Sequence, residues 1–118
     1  MRRGLNKVML IGQLDADPEV RQTPGGSAVA SFGLATPRSW VTPQGENQAE
    51  TEWFSVVAWG RLALFCQSNL AQGRQVYVEG RLHTRRWEDD QGRLHVRTEV
   101  VAQELIPLGS EEEIVGTN

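Results

Sequence analysis

Thr51-Glu52-Trp53-Phe54-Ser55-Val56-Val57-Ala58-Trp59-Gly60-Arg61-Leu62-Ala63-Leu64-Phe65-Cys66-Gln67-Ser68-Asn69-Leu70-Ala71-Gln72-Gly73 carries two periodicities in succession. From Thr51 to Trp59 the residues are aromatic, β-branched or small, with no Gly or Pro, which predicts a strand. Gly60 then breaks the run. From Arg61 to Gln72, Leu62, Phe65, Cys66, Asn69 and Leu70 recur at three- and four-residue spacing, the stripe of a helix. Gly73 stands where such a helix ends. Cys66 lies on the stripe and is read as packing rather than as a nucleophile.

The flanks supply further strands. Val8 to Leu14 predicts a first strand, and Pro18 with Thr23-Pro24-Gly25-Gly26-Ser27 punctuates a turn before a second, Ala28 to Thr36. Gly12 and Gly33 inside these runs predict bulges or tight bends. Pro37 to Glu50 reads as a polar loop with Thr42-Pro43-Gln44-Gly45 at its tip. Beyond Gly73, Gln75 to Trp87 predicts a fourth strand and Leu94 to Leu108 a fifth, joined by Asp89-Asp90-Gln91-Gly92. Five strands with one helix between the third and fourth is the element order of the OB-fold, an all-β Greek-key barrel. Residues 1–108 are expected to form that domain, and 109–118 a short flexible acidic tail. Element order leaves the ligand open, because barrels of this kind take oligonucleotides or oligosaccharides.

The 118 residues suit a single domain that needs no disulfide, and the lone Cys66 forbids an internal one. No apolar run approaches the ~18 residues of a membrane span, and Val8 to Ile11 is too short for a leader core. A cytoplasmic, nucleoid-associated location is the resulting expectation. The formal net charge is −3, and Glu111, Glu112 and Glu113 account for all of it. The rest is neutral but segregated: Arg81, Arg85, Arg86, Arg93 and Arg97 crowd one hairpin, while Glu46, Glu50 and Glu52 crowd another. A local field can still steer an anion.

Four tryptophans then carry the functional argument: Trp40, Trp53, Trp59 and Trp87. Strand alternation sets Trp53, Ser55, Val57 and Trp59 on one face and Phe54, Val56 and Ala58 on the other. The second set suits a barrel interior, which leaves Trp53 and Trp59 outside. On the fourth strand Val76, Val78, Gly80 and Leu82 form the apolar set. Tyr77, Glu79, Arg81, His83, Arg85 and Trp87 oppose them, with Arg86 on the far side by strict count. Rings beside fixed cations suit an unpaired nucleic-acid strand, with bases for the indoles and phosphates for the guanidiniums.

Other chemistries lack their residues. His83 and His95 have no Cys or His at ligand spacing, so neither a metal site nor a cofactor is expected. Asp15 with Asp17, and Asp89 with Asp90, are turn acids. Gly25-Gly26 is turn chemistry, and no nucleophile stands beside a base, so no catalytic residue is assigned.

Several segments, in order, resemble the bacterial single-stranded-DNA-binding proteins over nearly all of Arg3 to Leu108. They are Asn6-Lys7-Val8, Asp17-Pro18-Glu19-Val20-Arg21, Leu34-Ala35-Thr36, Thr51-Glu52-Trp53, Gln75-Val76-Tyr77-Val78-Glu79-Gly80, Thr84-Arg85-Arg86-Trp87 and Thr98-Glu99-Val100. The resemblance implies an OB-fold homotetramer that binds and protects single-stranded DNA, without sequence choice, in replication, recombination and repair. It implies stacking by Trp40, Trp53, Trp59 and Trp87, the third standing where relatives often carry Phe. It also implies basic contacts from Arg3, Lys7, Arg21, Arg61, Arg74, Arg85 and Arg86. Relatives usually end in a long Gly/Pro/Gln-rich linker and an acidic tip that recruits replication and repair enzymes. Here ten residues follow Leu108, and Glu111-Glu112-Glu113-Ile114-Val115 is read as a reduced tip or as a solvated tail.

Two competing classes stay open from the residues alone. One is a protein–protein adaptor of the replication machinery that keeps the barrel but relies on partners, against which the four retained indoles argue. The other is an RNA-binding OB domain, which only a group probing the 2′-hydroxyl would separate. An enzyme has the least support.

Overall fold

The computed structural model describes residues 2–109. Alternating apolar and small residues build six strands and one helix: β1 (Val8–Leu14), β2 (Glu19–Gln22), β3 (Ala28–Val41), β4 (Asn47–Trp59), α1 (Arg61–Asn69), β5 (Gln75–Glu88) and β6 (Leu94–Pro107). The sheet order is β1-β5-β6-β4-β3-β2, and a second pairing of β1 with β3, through Gln13–Ala35 and Leu14–Leu34, closes five of the strands into the expected barrel. β4 and β6 meet in parallel at Val56–Val100 and Val57–Val101, while the other pairings are antiparallel. β2 is an addition to the five expected strands. Its four residues, caught between Pro18 and the 23–27 turn, pair with β3 from Glu19–Ser31 to Gln22–Ala28.

Leu14, Phe32, Leu34, Val56, Ala58, Val76, Val78, Val100, Ala102 and Leu105 fill the interior, and Ala63, Cys66 and Leu70 close one end. Each fully buried valine contributes about 1.5–3 kcal/mol. α1 stops at Asn69, three residues before the expected Gln72. Leu70 leaves the helix in an extended conformation, its N–H bonded to the Cys66 carbonyl at 3.0 Å, and its side chain is buried in the barrel.

The expected 37–50 loop is strand for most of its length. β3 and β4 stay paired without interruption from Val29–Trp59 to Val41–Asn47, so only the 42–46 tip turns. This stretch has a polar sequence because it leaves the barrel and has no inside, and its ladder is satisfied by backbone pairing alone. β5 and β6 extend in the same way, through Glu88–Leu94. Leu82, expected among the inward apolar residues, is exposed because β5 leaves the barrel past Gly80, whereas its β6 partner Val100 is still buried against Val56 of β4.

The 23–27, 42–46 and 89–93 turns share one design. The first residue donates its N–H to the fifth residue's carbonyl at 2.8–3.0 Å, and its side-chain oxygen accepts the fifth N–H at 2.9–3.2 Å. Thr23, Thr42 and Asp89 supply that oxygen. Gly26, Gly45 and Gly92 hold the fourth position at φ between 78° and 88°, which other residues rarely adopt.

Of the bulges or tight bends expected at Gly12 and Gly33, no bulge falls at either. Gly12 keeps regular register with Val76, and its missing Cβ makes room for the Ala35 carbonyl, while Gly33 makes room for the Asp15 carboxylate. The register shift falls at Glu79–Gly80, where Glu79 faces Glu104 and Gly80 faces Ala102, so Gln103 is the extra residue on β6.

Candidate nucleic-acid interface

Register across three strands aligns Arg21, Val29 and Trp59, and the next row aligns Glu19, Ser31 and Val57. Directly paired residues share a face, so these side chains line the outside of the barrel rather than its interior. With Gly33, Trp53 and Ser55 they form one wall of a cleft of about 1040 Å³. The other wall is the β5–β6 ribbon, which contributes Arg85, Trp87, Arg97, Thr98 and Glu99. Val29 and Val57 are buried in the apolar part of this surface.

The indoles are open to solvent. Trp53 is 62% exposed, Trp59 50%, Trp87 38% and Trp40 37%. Trp53, Trp59 and Trp87 line the same cleft, as strand alternation predicts for the first two. Trp40 does not line it. It sits near the tip of the β3–β4 arm, paired with Gln48 and capped by the Arg38 guanidinium at 4.4 Å, which Glu50 holds at 3.6 Å.

Trp87 is framed on its own ribbon. Arg85, two residues away on the same face, places its guanidinium 4.5 Å from the ring centroid, and Nε of Arg85 lies 3.5 Å from the Glu99 carboxylate. His95, opposite Trp87 in register, stacks on the indole. Its Nε2 lies 2.9 Å from Asp89 Oδ2. That contact, followed by the backbone N–H groups of Arg93 and Gln91, holds the Asp89 carboxyl below the usual carboxylate range.

Among the expected basic contacts, Arg21 and Arg85 reach the cleft. Arg61 lies with Trp59, Gly60, Leu64 and the 26–28 segment in an adjoining groove of about 550 Å³. Arg86 falls on the opposite face of its strand, as the count predicts, and does not line the cleft. Arg74 precedes β5, its carbonyl accepting the Leu14 N–H at 3.1 Å, and Arg3 lies exposed ahead of β1; neither lines the cleft. Lys7 also lies elsewhere, 2.9 Å from Glu79, whose other oxygen accepts the Tyr77 hydroxyl at 2.6 Å. These bonds, Tyr77 first, hold the Glu79 carboxyl low, and Glu79 pushes the Tyr77 phenol up.

Sequence reasoning placed Arg97 in the basic hairpin but gave it no role. Its signal was the pairing itself, since Arg97 lies opposite Arg85. Residues 111–115 fall outside the described residues. Among the described residues, no helix is long and apolar enough to cross a membrane, and no cluster of His, Cys, Asp or Glu could hold a metal.

Known proteins resemble this chain in sequence and fold. The model of the single-strand binding protein family matches residues 5–108. Single-stranded DNA-binding protein 1 of Chlorobaculum tepidum is 48% identical over 119 residues, covering 100% of this chain and 74% of the relative. A Plasmodium falciparum SSB solved in complex with ssDNA superposes with a TM-score of 0.82 at 33% identity, over 92% of this chain and 99% of that one. A deletion mutant of the single-stranded DNA binding protein from Thermus aquaticus superposes at 0.81 with 36% identity, over 94% of this chain and 54% of its own. An OB-fold barrel with an indole-lined outer cleft, matched along almost its whole length, belongs to the single-strand binding protein family.

Proposed function

We propose that the chain binds single-stranded DNA without sequence preference, and protects it during replication, recombination and repair. Bases stack on Trp53, Trp59 and Trp87, with Trp40 extending the track along the β3–β4 arm. Arg21 and Arg85 meet phosphates in the cleft, and Arg61 meets them in the groove beside Trp59. The observation that carries this reading is the grouping of three solvent-open indoles with guanidiniums in one cleft. Every base has a π-face, so such a surface is indifferent to sequence. A duplex hides those faces in its own stack. The work is binding, and no residue in the cleft is assigned a catalytic role.

Assembly into a homotetramer fits the opposite side of the barrel. β1 pairs with β5 along Val8–Gln13 but with β3 only at Gln13 and Leu14, so much of its outer edge lacks a partner among the described residues. Met9, Ile11 and Ile106 are exposed around Tyr77 on this side. Lys7, drawn to Glu79 there, belongs with this face rather than with the cleft.

Titration with oligo-dT, read by tryptophan fluorescence, tests the reading. Strong quenching is expected with single strands and almost none with duplex of equal charge, while equal responses would overturn it. Light scattering of the same solutions reports whether four chains assemble.

A further inference from the structure

We propose that Arg97 and Arg85 together form a seat for one backbone phosphate beside Trp87, with Glu99 as the internal counter-charge that holds the seat in the free protein. The inference rests on the single-strand reading above and adds a contact and a charge arrangement to it. Arg85 and Arg97 are paired directly across β5 and β6, so their side chains leave the ribbon on the same face, and both line the cleft. Like charges in that relation repel. Glu99 lies on the same face two residues from Arg97, is only 8% exposed, and engages Arg85 at 3.5 Å. One carboxylate thus stands against two guanidiniums. Among the described residues Arg97 has no carboxylate partner, which leaves one positive charge directed at the cleft.

A phosphate relieves that imbalance with no movement of the backbone. It brings the negative charge the pair lacks, and guanidinium forks suit its oxygens. The rest of the cleft favours this end for the phosphate, because Asp15, Asp17 and Glu19 line other parts of it and repel an anion. Arg85 lies against the Trp87 ring, so the seat adjoins an indole. Glu99 keeps Arg85 fixed before the ligand arrives, which lowers the ordering cost on binding.

Salt dependence separates a phosphate contact from a packing role. Oligo-dT affinity of the full chain is measured across a tenfold range of sodium chloride for the parent, Arg97→Gln and Arg93→Gln. Arg93 lies in the turn of the same ribbon, does not line the cleft, and controls for net charge. Loss of one phosphate contact should lower the log–log slope by about 0.7, so that a ~5-fold deficit of Arg97→Gln at the low-salt end closes at the high-salt end. Arg93→Gln should keep the parental slope. An Arg97→Gln variant with the parental slope overturns the seat, even if it binds more weakly. Equal slope changes in both variants overturn it too, by reducing it to a general field. In either case strong binding and quenching by the parent would leave the single-strand reading standing, whereas a parent that ignores oligo-dT sinks both. Glu99→Gln gives an independent readout: it should steepen the parental slope, and an unchanged or shallower slope counts against the counter-charge role.

Discussion

The Trp87 indole and the His95 imidazole lie nearly parallel, 17° apart with 5.2 Å between their centroids, although the seven residues 88–94, a turn among them, lie between the two in the chain. Asp89 ties this stack to the turn by bonding His95 and the Gln91 and Arg93 N–H groups together. The ribbon tip therefore stands on one carboxylate.

Asp89 titrates below an ordinary carboxylate, so its contribution to the folded tip is fully present above the unfolded value, about pH 3.9. It is lost as pH falls through the depressed folded value. Carbon-13 shifts of Asp89, followed beside the Trp87 indole N–H signal, should move together below that unfolded value. An Asp89 midpoint at or above the ordinary range would contradict the bonding described. Asp89→Asn should abolish the coupled transition and loosen the stack at neutral pH.

Trp53 is the most exposed indole of the cleft, so its removal should weaken oligo-dT binding by about 1–3 kcal/mol while sparing the fold. Trp53→Ala is expected to melt within a few degrees of the parent by circular dichroism. A collapse in melting temperature would instead make Trp53 a packing residue.

Gly80 faces the Val101 carbonyl so closely that an added Cβ would overlap it. Gly80→Ala must therefore move β6 backbone at the bulge, at a cost of about 1–3 kcal/mol. Chemical denaturation should show that loss. Gly4→Ala, with nothing near its Cβ, should show none.

Cys66 is fully buried among the residues that close the barrel, and burial pushes its thiol up to about 11. A neutral, enclosed thiol is a poor nucleophile. Ellman's reagent should react with it slowly in the native protein and at once in guanidinium. Rapid native reaction would mean that α1 opens readily from the barrel.

The barrel and half of the cleft were legible in the sequence because a period-two pattern reports which face of a strand has an inside. Phe54, Val56 and Ala58 against Trp53 and Trp59 is such a pattern, and Gly60 and Gly73 bracket the helix visibly. The signal fades where a strand has no inside. Pro37 to Glu50 reads as loop because backbone pairing holds the arm without any apolar face, and Leu82 misleads because its alternation continues where β5 has left the barrel. β2 is too short to show a period. Arg97 needed a different kind of information, since register across the 89–93 turn, not local spacing, brings it to Arg85.

The two ribbons that overshoot the barrel, β3–β4 bearing Trp40 and β5–β6 bearing Trp87, are cantilevers: clamped at the root, unsupported at the end. Their bending stiffness comes from a two-strand ladder, so thermal tilt should grow toward the tips while the barrel stays still. A polymer touching both would act as a guy-line, damping that sway. Amide exchange at Trp40 and His95, in the outermost hydrogen-bonded pairs of the two ladders, should slow on loading far more than at Val78, making the tips the strain gauge of occupancy.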